Sequence, residues 1–317
     1  MIEQSRPDVR IVGFGASGVP AGSDPRQLSQ AIHTALAAAG ADGHSVVGAV
    51  GSAEVVIRQV SLPPVARARI LPALELQHRE LGLLSPTEAI LDAQILRRSK
   101  DGATNEILSA SVPRALVDER MRVFQQAALS VSMLDVEPLA LLNGALHLTA
   151  LEAGEMLVLL TLGRRSSVLS LFSESGPVVA RYLDLGAEDF TERLRVTFNL
   201  APHTVEAFAG SIQPEAVARA EAACADLVSR IAEDVRLSLT FYRTEYDRES
   251  LPRYAFGGWN ELQLIPRWLA ERLGLDGPLE LMDPFKALEM RTQEAGPYAG
   301  AAGPQFLQAF GLALRGL

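Results

Sequence analysis

Cysteine and positive charge are both scarce in this sequence. Cys224 is its only cysteine, so the chain can form neither an internal disulfide nor a thiolate metal cluster, which fits a reducing cytoplasm. The 29 basic residues are scattered along the chain, and the net charge is −9. We therefore expect no continuous basic surface for nucleic acid or anionic lipid.

Long apolar runs are missing as well. The longest, MLVLLTL from Met156 to Leu162, is far shorter than the roughly twenty residues that a membrane-spanning helix needs. The first residues include Glu3, Arg6 and Asp8 and lack the apolar core of a secretory signal. These absences predict a cytoplasmic protein with no direct membrane insertion, which reaches a membrane only through a partner.

The common motifs of catalytic chemistry are not found either. There is no H-E-x-x-H sequence, no G-x-S-x-G elbow and no P-loop lysine motif, and the five histidines lie far apart. We therefore expect no metal site and assign no catalytic residue.

One motif that is present, GFGASG at residues 13–18, matches the dinucleotide-binding pattern G-x-G-x-x-G. That pattern binds a pyrophosphate only when a helix follows it at once. Here Pro20, Gly22 and Pro25 fall where the first helical turns would have to form their hydrogen bonds. No acidic residue ending a second strand follows about twenty positions later. The flank favours a glycine-rich strand end leading into a loop over an NAD site.

The apolar pattern predicts an α/β protein larger than one usual core. At 317 residues and 48% apolar composition, the chain can bury two interiors. Residues 51–133 alternate strand and helix signals and predict a compact α+β unit. Three closely spaced strands follow, MLVLLTL, SVLSLFS and PVVARYLDL, which predict an antiparallel meander. A long amphipathic helix over 215–246 then carries one apolar stripe, namely Val217, Ala220, Cys224, Leu227, Ile231 and Val235.

The order of these pieces resembles the type IV pilus assembly protein PilM family of actin-like proteins. The likeness lies in IRQVSLPP, ILDAQIL, DVEPLALL, the meander, EDVRLSLTFY, AFGGWNELQLIPRWLAERLG, MDPFKAL and AFGLALRGL, which together span about residues 11 to 317. The resemblance implies a two-lobed actin-like (ribonuclease H-like) α/β fold with an inserted α+β subdomain, called 1C.

The resemblance also implies domain boundaries. They are residues 1–50 for a shortened subdomain 1A, 51–133 for subdomain 1C, 134–150 for the connecting helix of 1A, 151–285 for the second lobe (2A with a 2B insertion), and 286–317 for a C-terminal return to 1A.

In actin-like ATPases, two hairpins close on the nucleotide phosphates, and an Asp on each organises the metal shell. This sequence begins at what resembles the family's third strand, so we expect the first phosphate-binding strand to be missing. The second hairpin corresponds to Thr161-Leu162-Gly163, where the family has Asp-Ile-Gly, followed by Arg164 and Ser166. Gly257 and Gly258 match the family's adenosine-side glycines.

Each of these matches has a second interpretation. Arg164 and Arg165 could neutralise a phosphate or simply be solvated at a hairpin tip. Gly257-Gly258 could lie against a purine or form a tight strand-to-loop turn. Because Thr161 lacks the charge of an Asp, we expect catalysis to be lost and no cofactor to be held. ATP and Mg²⁺ would remain possible if the full gene supplied the first phosphate strand.

The resemblance implies a protein-binding role. Family members bind the N-terminal cytoplasmic tail of the membrane protein PilN between subdomains 1A and 1C, and link it to other assembly components on the motor side. Val60, Leu62, Leu74 and Ile90 would line that groove, unless they are plain core. The alternatives are an active actin-like ATPase and a type II secretion scaffold, whose actin-like domain continues into a membrane helix; the end of this chain at LALRGL favours the pilus protein.

Overall fold

The computed structural model describes residues 9–20, 22–41, 45–80, 88–99, 102–174, 177–246, 250–288 and 303–316. The chain divides into two compact units. The first unit comprises residues 1–139, 288–293 and 312–317, and the second comprises residues 140–287 and 294–311.

The first unit alternates helices and strands. Its elements are α1 (Pro25–Ala38), β1 (Ser45–Val50), β2 (Val56–Leu62), a 3-10 turn (Arg67–Arg69), α2 (Ile70–Glu80), β3 (Ala89–Arg98), β4 (Asn105–Pro113), α3 (Arg114–Gln126), β5 (Ser130–Val136) and the start of α4 (Glu137–Leu148).

The start of α1 shows how local sequence sets an element boundary. Asp24 caps the helix, because its Oδ1 accepts hydrogen bonds from the backbone N–H groups of Arg26 and Gln27 at 2.8 and 2.9 Å. Gln27 returns the contact through Oε1, which accepts from the Asp24 N–H at 2.9 Å. Pro25 fits the first helical position, where its missing N–H leaves no bond unmade.

The described residues of the first unit form two sheets. β1 and β5 form a parallel pair, and β2, β4 and β3 form an antiparallel sheet with β4 in the centre. One face of the three-stranded sheet packs on α2, through a cluster of Ile70, Leu74 and Ile107. The other face meets the β1–β5 pair, through a cluster of Val50, Val112 and Val136.

The second unit is built around one larger sheet. Its further elements are β6 (Glu155–Leu162), β7 (Ser167–Ser173), β8 (Val179–Leu183), α5 (Ala187–Phe198), α6 (Val205–Gly210), α7 (Pro214–Tyr246), β9 (Leu251–Gly258), α8 (Ile265–Leu273), β10 (Glu280–Leu281), α9 (Pro284–Ala287) and α10 (Leu307–Arg315). The strand order is β10-β9-β6-β7-β8. The predicted antiparallel meander is confirmed for β6, β7 and β8, whereas β9 runs parallel to β6.

The core of the second unit lies between this sheet and α7. The predicted stripe is buried at Ala220, Cys224, Leu227, Ile231 and Val235, while Val217 near the start of the helix is only half-buried. The five buried side chains pack in one cluster with Val158, Leu160 and Leu162 of β6. No helix in the described ranges is both long enough and apolar enough to cross a membrane.

Candidate functional site

The structure brings together the residues that the sequence proposes for the nucleotide-facing edge of the second unit. In the parallel register of β6 and β9, Thr161 lies beside Gly257 and Leu162 lies beside Gly258. Both strands end here, and the carboxyl ends of parallel strands are where open α/β sheets bind ligands. Four of the six predicted positions, Thr161, Gly163, Gly257 and Gly258, therefore share one sheet edge.

The remaining two predicted positions, Arg164 and Ser166, belong to the tight turn after β6. The carbonyl oxygens of Gly163 and Arg164 accept hydrogen bonds from the backbone N–H groups of Ala187 and Glu188, each at 2.9 Å. A side chain on Gly163 would overlap with the carbonyl of Ser166, which explains the glycine at that position. The turn is thus held against the first turn of α5.

Both arginines of the turn contact an acidic residue. Arg164 Nε lies 2.6 Å from Glu188 Oε1, and Arg165 Nε lies 3.4 Å from Glu188 Oε2. Their side chains remain 58% and 68% exposed. A shared carboxylate between two largely solvated arginines favours the interpretation of a surface ion-pair cluster over that of a phosphate clamp.

Close packing accounts for both glycines at the end of β9. A Cβ on Gly257 would lie 2.8 Å from Cδ2 of the buried Leu307, in α10. Gly258 has φ +81°, and a Cβ there would overlap with the carbonyl of Leu162. The same carbonyl accepts a hydrogen bond from the Trp259 N–H at 2.7 Å. These contacts favour the strand-to-loop turn, and contact of the glycines with a purine stays a prediction.

Thr161 offers a hydroxyl at this edge and no charge. The residue is 7% exposed, and its Oγ1 has no hydrogen-bond partner among the described residues. A hydroxyl is a weak substitute for the carboxylate oxygens that Mg²⁺ prefers. Within the described ranges, no three His, Cys, Asp or Glu side chains are grouped so as to hold a metal ion.

The four residues predicted to line a peptide groove are divided between the two faces of the three-stranded sheet. Val60 pairs with Ile107, whereas Ile90 pairs with Val112. Ile107 and Val112 are an odd number of positions apart on β4, so their side chains point to opposite faces. Val60 therefore lies on the face that α2 covers, and Ile90 lies on the face beside the β1–β5 pair.

Leu74 is the clearest departure from the predicted groove. Its exposed fraction is 0%, because it is the centre of the cluster between α2 and the sheet. Val60 and Leu62 are half-buried against the same cluster. This structure therefore places Leu74 in the core, which is the alternative role that the sequence left open, and it offers no surface to a peptide.

The face that carries Ile90 contains a residue that the sequence analysis missed. Leu108 is half-buried on the same face and lies in register with Gln59 on one side and Gln94 on the other. Glu106 flanks it, and its Oε2 accepts hydrogen bonds from Gln59 Nε2 at 2.8 Å and Arg97 Nε at 2.9 Å. The two-residue alternation of β4 was the available signal, but only the register shows which face each residue joins.

The GFGASG segment is explained by packing within the first unit. Side chains on Gly13 and Gly15 would overlap with the carbonyls of Ala39 and Ala35, near the end of α1. The segment lies in an irregular stretch with one bridging residue, Ile11, rather than a full strand, and the next helix begins only at Pro25. The glycines therefore allow a close approach to α1, and the segment lacks the helix start that a pyrophosphate site uses.

Comparison with known proteins gives a match over nearly the whole chain. A family model described as Type IV pilus assembly protein PilM matches residues 21–317. A structure titled "PilM-PilN type IV pilus biogenesis complex" is similar over 98% of this chain and 99% of that chain, with 24% identity and a TM-score of 0.78. That likeness and the family match confirm the predicted actin-like α/β fold. Among curated proteins, no sequence matches.

Two further solved structures are more distant. The ethanolamine utilization protein EutJ from Carboxydothermus hydrogenoformans is 13% identical, over 64% of this chain and 61% of that chain, with a TM-score of 0.44. An archaeal actin homolog is 19% identical, over 59% of this chain and 57% of that chain, with a TM-score of 0.38.

Proposed function

Because the chain belongs to the type IV pilus assembly protein PilM family, we propose that it is a cytoplasmic scaffold of the inner-membrane complex that assembles the pilus. In this role it binds the N-terminal cytoplasmic tail of a PilN-like membrane protein, which holds it at the membrane, and connects that protein to further assembly components. The observation that carries the proposal is the similarity, over almost the full length of both chains, to a chain of a PilM-PilN complex.

The tail-binding surface is proposed to lie within the first unit, on the face of the three-stranded sheet that carries Ile90 and Leu108. Both side chains are half-buried, and the strand register places them on the face that also carries Val112. β3 is an edge strand of this sheet in the described ranges. An extended tail can add main-chain hydrogen bonds at such an edge and place apolar side chains on the adjoining face.

A peptide copying the tail tests this placement. The peptide should raise the melting temperature of the purified chain, because a ligand that binds only the folded state stabilises it. Ile90→Ser and Leu108→Ser should each weaken peptide binding about tenfold by removing apolar contact area. Val60→Ser, on the opposite face, is the matched control. A larger loss with Val60→Ser than with Ile90→Ser would move the tail to the α2 side of the sheet.

We also propose that the chain turns over little or no nucleotide. Two features of the second unit support this proposal. Thr161 provides a buried hydroxyl where the resemblance implies a carboxylate in active relatives, and both arginines of the turn after β6 contact Glu188. An uncharged oxygen cannot organise Mg²⁺ and a triphosphate as a carboxylate does.

Melting curves with Mg-ATP distinguish the scaffold from an active ATPase. ATP at a hundred times its dissociation constant would stabilise the fold by about 2.7 kcal/mol, and we expect no such shift. Measurement of phosphate release on the same samples gives an independent readout. A shift accompanied by phosphate release, without any response to the tail peptide, would reverse the proposal in favour of the ATPase.

A further inference from the structure

The outer side of α2 combines apolar and basic residues. Ile70 and Leu74 point inward and pack on Ile107. On the outer side, Leu76 is 55% exposed, Leu71 is 39% exposed, and Pro72 is exposed between them. Glu75, four residues after Leu71, is half-buried beside these residues, so the outer side of α2 exposes apolar surface next to one carboxylate.

Two arginines precede this outer side. Arg67 and Arg69 form the exposed 3-10 turn that leads into α2. Arg67 precedes Leu71 by about one helical turn, and Arg69 precedes Pro72 and Leu76 by about one and two turns, so they border the same outer side. Neither arginine takes part in an ion pair within the described ranges, in contrast to Arg97, which pairs with Glu106 at 2.9 Å.

We propose that this outer side of α2 adsorbs to the anionic headgroups of a phospholipid membrane, a direct contact in addition to the partner-mediated one that the sequence predicts. Arg67 and Arg69 would bind lipid phosphates, while Leu71 and Leu76 would enter the boundary between headgroups and acyl chains. The helix has 11 residues and packs on its own sheet, so it adsorbs without spanning. The net charge of −9 repels an anionic surface elsewhere, and this repulsion orients the chain with α2 toward the lipid.

A lipid surface suits these residues better than a rigid acidic protein does. Leu71 and Leu76 protrude from the outer side of the helix on either side of Pro72, so a folded partner would need a cavity matched to both. Lipid headgroups rearrange around protruding leucines and supply phosphates at any spacing. This contact does not depend on the tail of the membrane protein, because α2 lies on the opposite face of the three-stranded sheet from Ile90 and Leu108.

Sedimentation with sucrose-loaded vesicles tests the proposal on the full chain without any tail peptide. The chain should sediment with vesicles of phosphatidylcholine and phosphatidylglycerol in equal amounts, and it should stay in solution with phosphatidylcholine alone. The double variant Arg67→Glu/Arg69→Glu should lower the partition constant by about 30-fold or more, since each basic residue near an anionic surface contributes about a fivefold factor. Leu71→Ser/Leu76→Ser should lower it by about tenfold or more.

The matched control is Arg120→Glu/Arg230→Glu, which makes the same change in net charge at two other exposed arginines and should leave the partition constant nearly unchanged. Circular dichroism and melting temperatures confirm that each variant is folded. No sedimentation with the mixed vesicles, equal sedimentation with neutral vesicles, or an equal loss in the control would each overturn the proposal. Soluble poly-glutamate that binds as tightly as the vesicles would instead indicate an acidic polypeptide partner.

Discussion

Strand β6 of the second unit and strand β3 of the first unit differ in how much of their surface reaches solvent. β6 is buried at every position from Met156 to Leu162, whereas β3 is buried only at Ala89 and is exposed or half-buried along the rest of its length. β6 has a strand on each side, while β3 lies at a sheet edge in the described ranges. A central strand covered on both faces anchors a core, and an edge strand leaves surface for partners.

This difference explains why the two units are proposed to contribute differently to function. The residues at the end of β6 are occupied by contacts within the second unit, as the packing of Gly257 on Leu307 shows. In the first unit, Ile90 and Leu108 retain accessible apolar surface, and so do Leu71 and Leu76 of α2. The following predictions test the contrast between the second unit, where the residues at the end of β6 are occupied by internal contacts, and the first unit, which retains accessible apolar surface.

Truncating one leucine in each unit should give the largest difference in the free energy of unfolding between the two sheets. Leu160→Ala removes a side chain that is 2% exposed in the core of the second unit and should lower the free energy of unfolding by about 3 kcal/mol. Leu108→Ala removes a half-buried side chain in the first unit and should lower it by only about 1 kcal/mol. Urea unfolding measures both values. Equal losses would mean that Leu108 is packed as tightly in the first unit as Leu160 is in the second.

The lone thiol should be protected by the core of the second unit. Burial of Cys224 raises the pKa of its thiol to about 11, so little reactive thiolate forms near pH 8. We expect a thiol reagent to modify Cys224 at least about a hundredfold more slowly than a free cysteine, because two pKa units remove that much thiolate. Leu108→Cys in a Cys224→Ala background is the comparison in the first unit and should react much faster. A rapidly modified Cys224 would show that the core opens.

The same pKa shift predicts a dependence of stability on pH. The folded thiol keeps its proton up to about pH 11, whereas the unfolded thiol loses it near the usual pKa of 9.0. The unfolded state therefore binds fewer protons between these values, and the free energy of unfolding should fall as pH rises through that window. Chemical denaturation at several pH values checks this. Cys224→Ala should have a smaller slope, and an unchanged slope would assign the effect to other groups.

Adding a methyl group at Gly257 should lower the free energy of unfolding by less than the truncation of Leu160 does. Gly257→Ala places a Cβ 2.8 Å from Leu307 Cδ2 and should lower the free energy of unfolding by about 2 kcal/mol. Leu307→Ala should relieve part of this loss in the double variant, because it removes the atom that is crowded. Gly277→Ala is the control, since no atom lies within 4 Å of its added Cβ. Strict additivity of the first two changes would show that Leu307 does not set the requirement for glycine.

Removing a partly buried ion pair of the first unit should have the smallest measurable effect. Arg315 Nε lies 3.0 Å from Oδ2 of Asp135, whose side chain is 5% exposed. Arg315→Gln leaves that carboxylate without its cation and should lower the free energy of unfolding by about 1 kcal/mol. The loss is modest because the Arg315 side chain is itself 38% exposed and partly screened by water.

The comparison for Arg315 is an exposed pair in the second unit. Arg195 lies 2.6 Å from Glu192, and its hydrogen bond lowers the pKa of that carboxyl. Arg195→Gln should leave the unfolding midpoint unchanged, since solvent replaces the lost contact. Raising the salt concentration should change the unfolding midpoint of either variant less than it changes the midpoint of the wild type. A larger loss with Arg195→Gln than with Arg315→Gln would reverse the expected order.

The secondary structure was largely predictable, because the patterns that predict it are local. The run SVLSLFS coincides with β7, MLVLLTL differs from β6 by one residue at its start, and the long amphipathic pattern differs from α7 by one residue at its start. The candidate peptide groove was less predictable. Val60 and Ile90 are both apolar residues of predicted groove strands, and only the pairing of β2 and β3 with β4 separates them onto two faces.

The sequence by itself determined the family and the order of the strands and helices along the chain. Periodicity, helix caps and side-chain chemistry are properties of neighbouring residues, and the sequence contains them in full. Only the tertiary structure decided that Gly13 and Gly15 pack on α1, that Gly257 accommodates Leu307, and that Leu71 and Leu76 remain exposed. These outcomes depend on segments far apart in the chain, whose distance in space is set by packing rather than by local pattern.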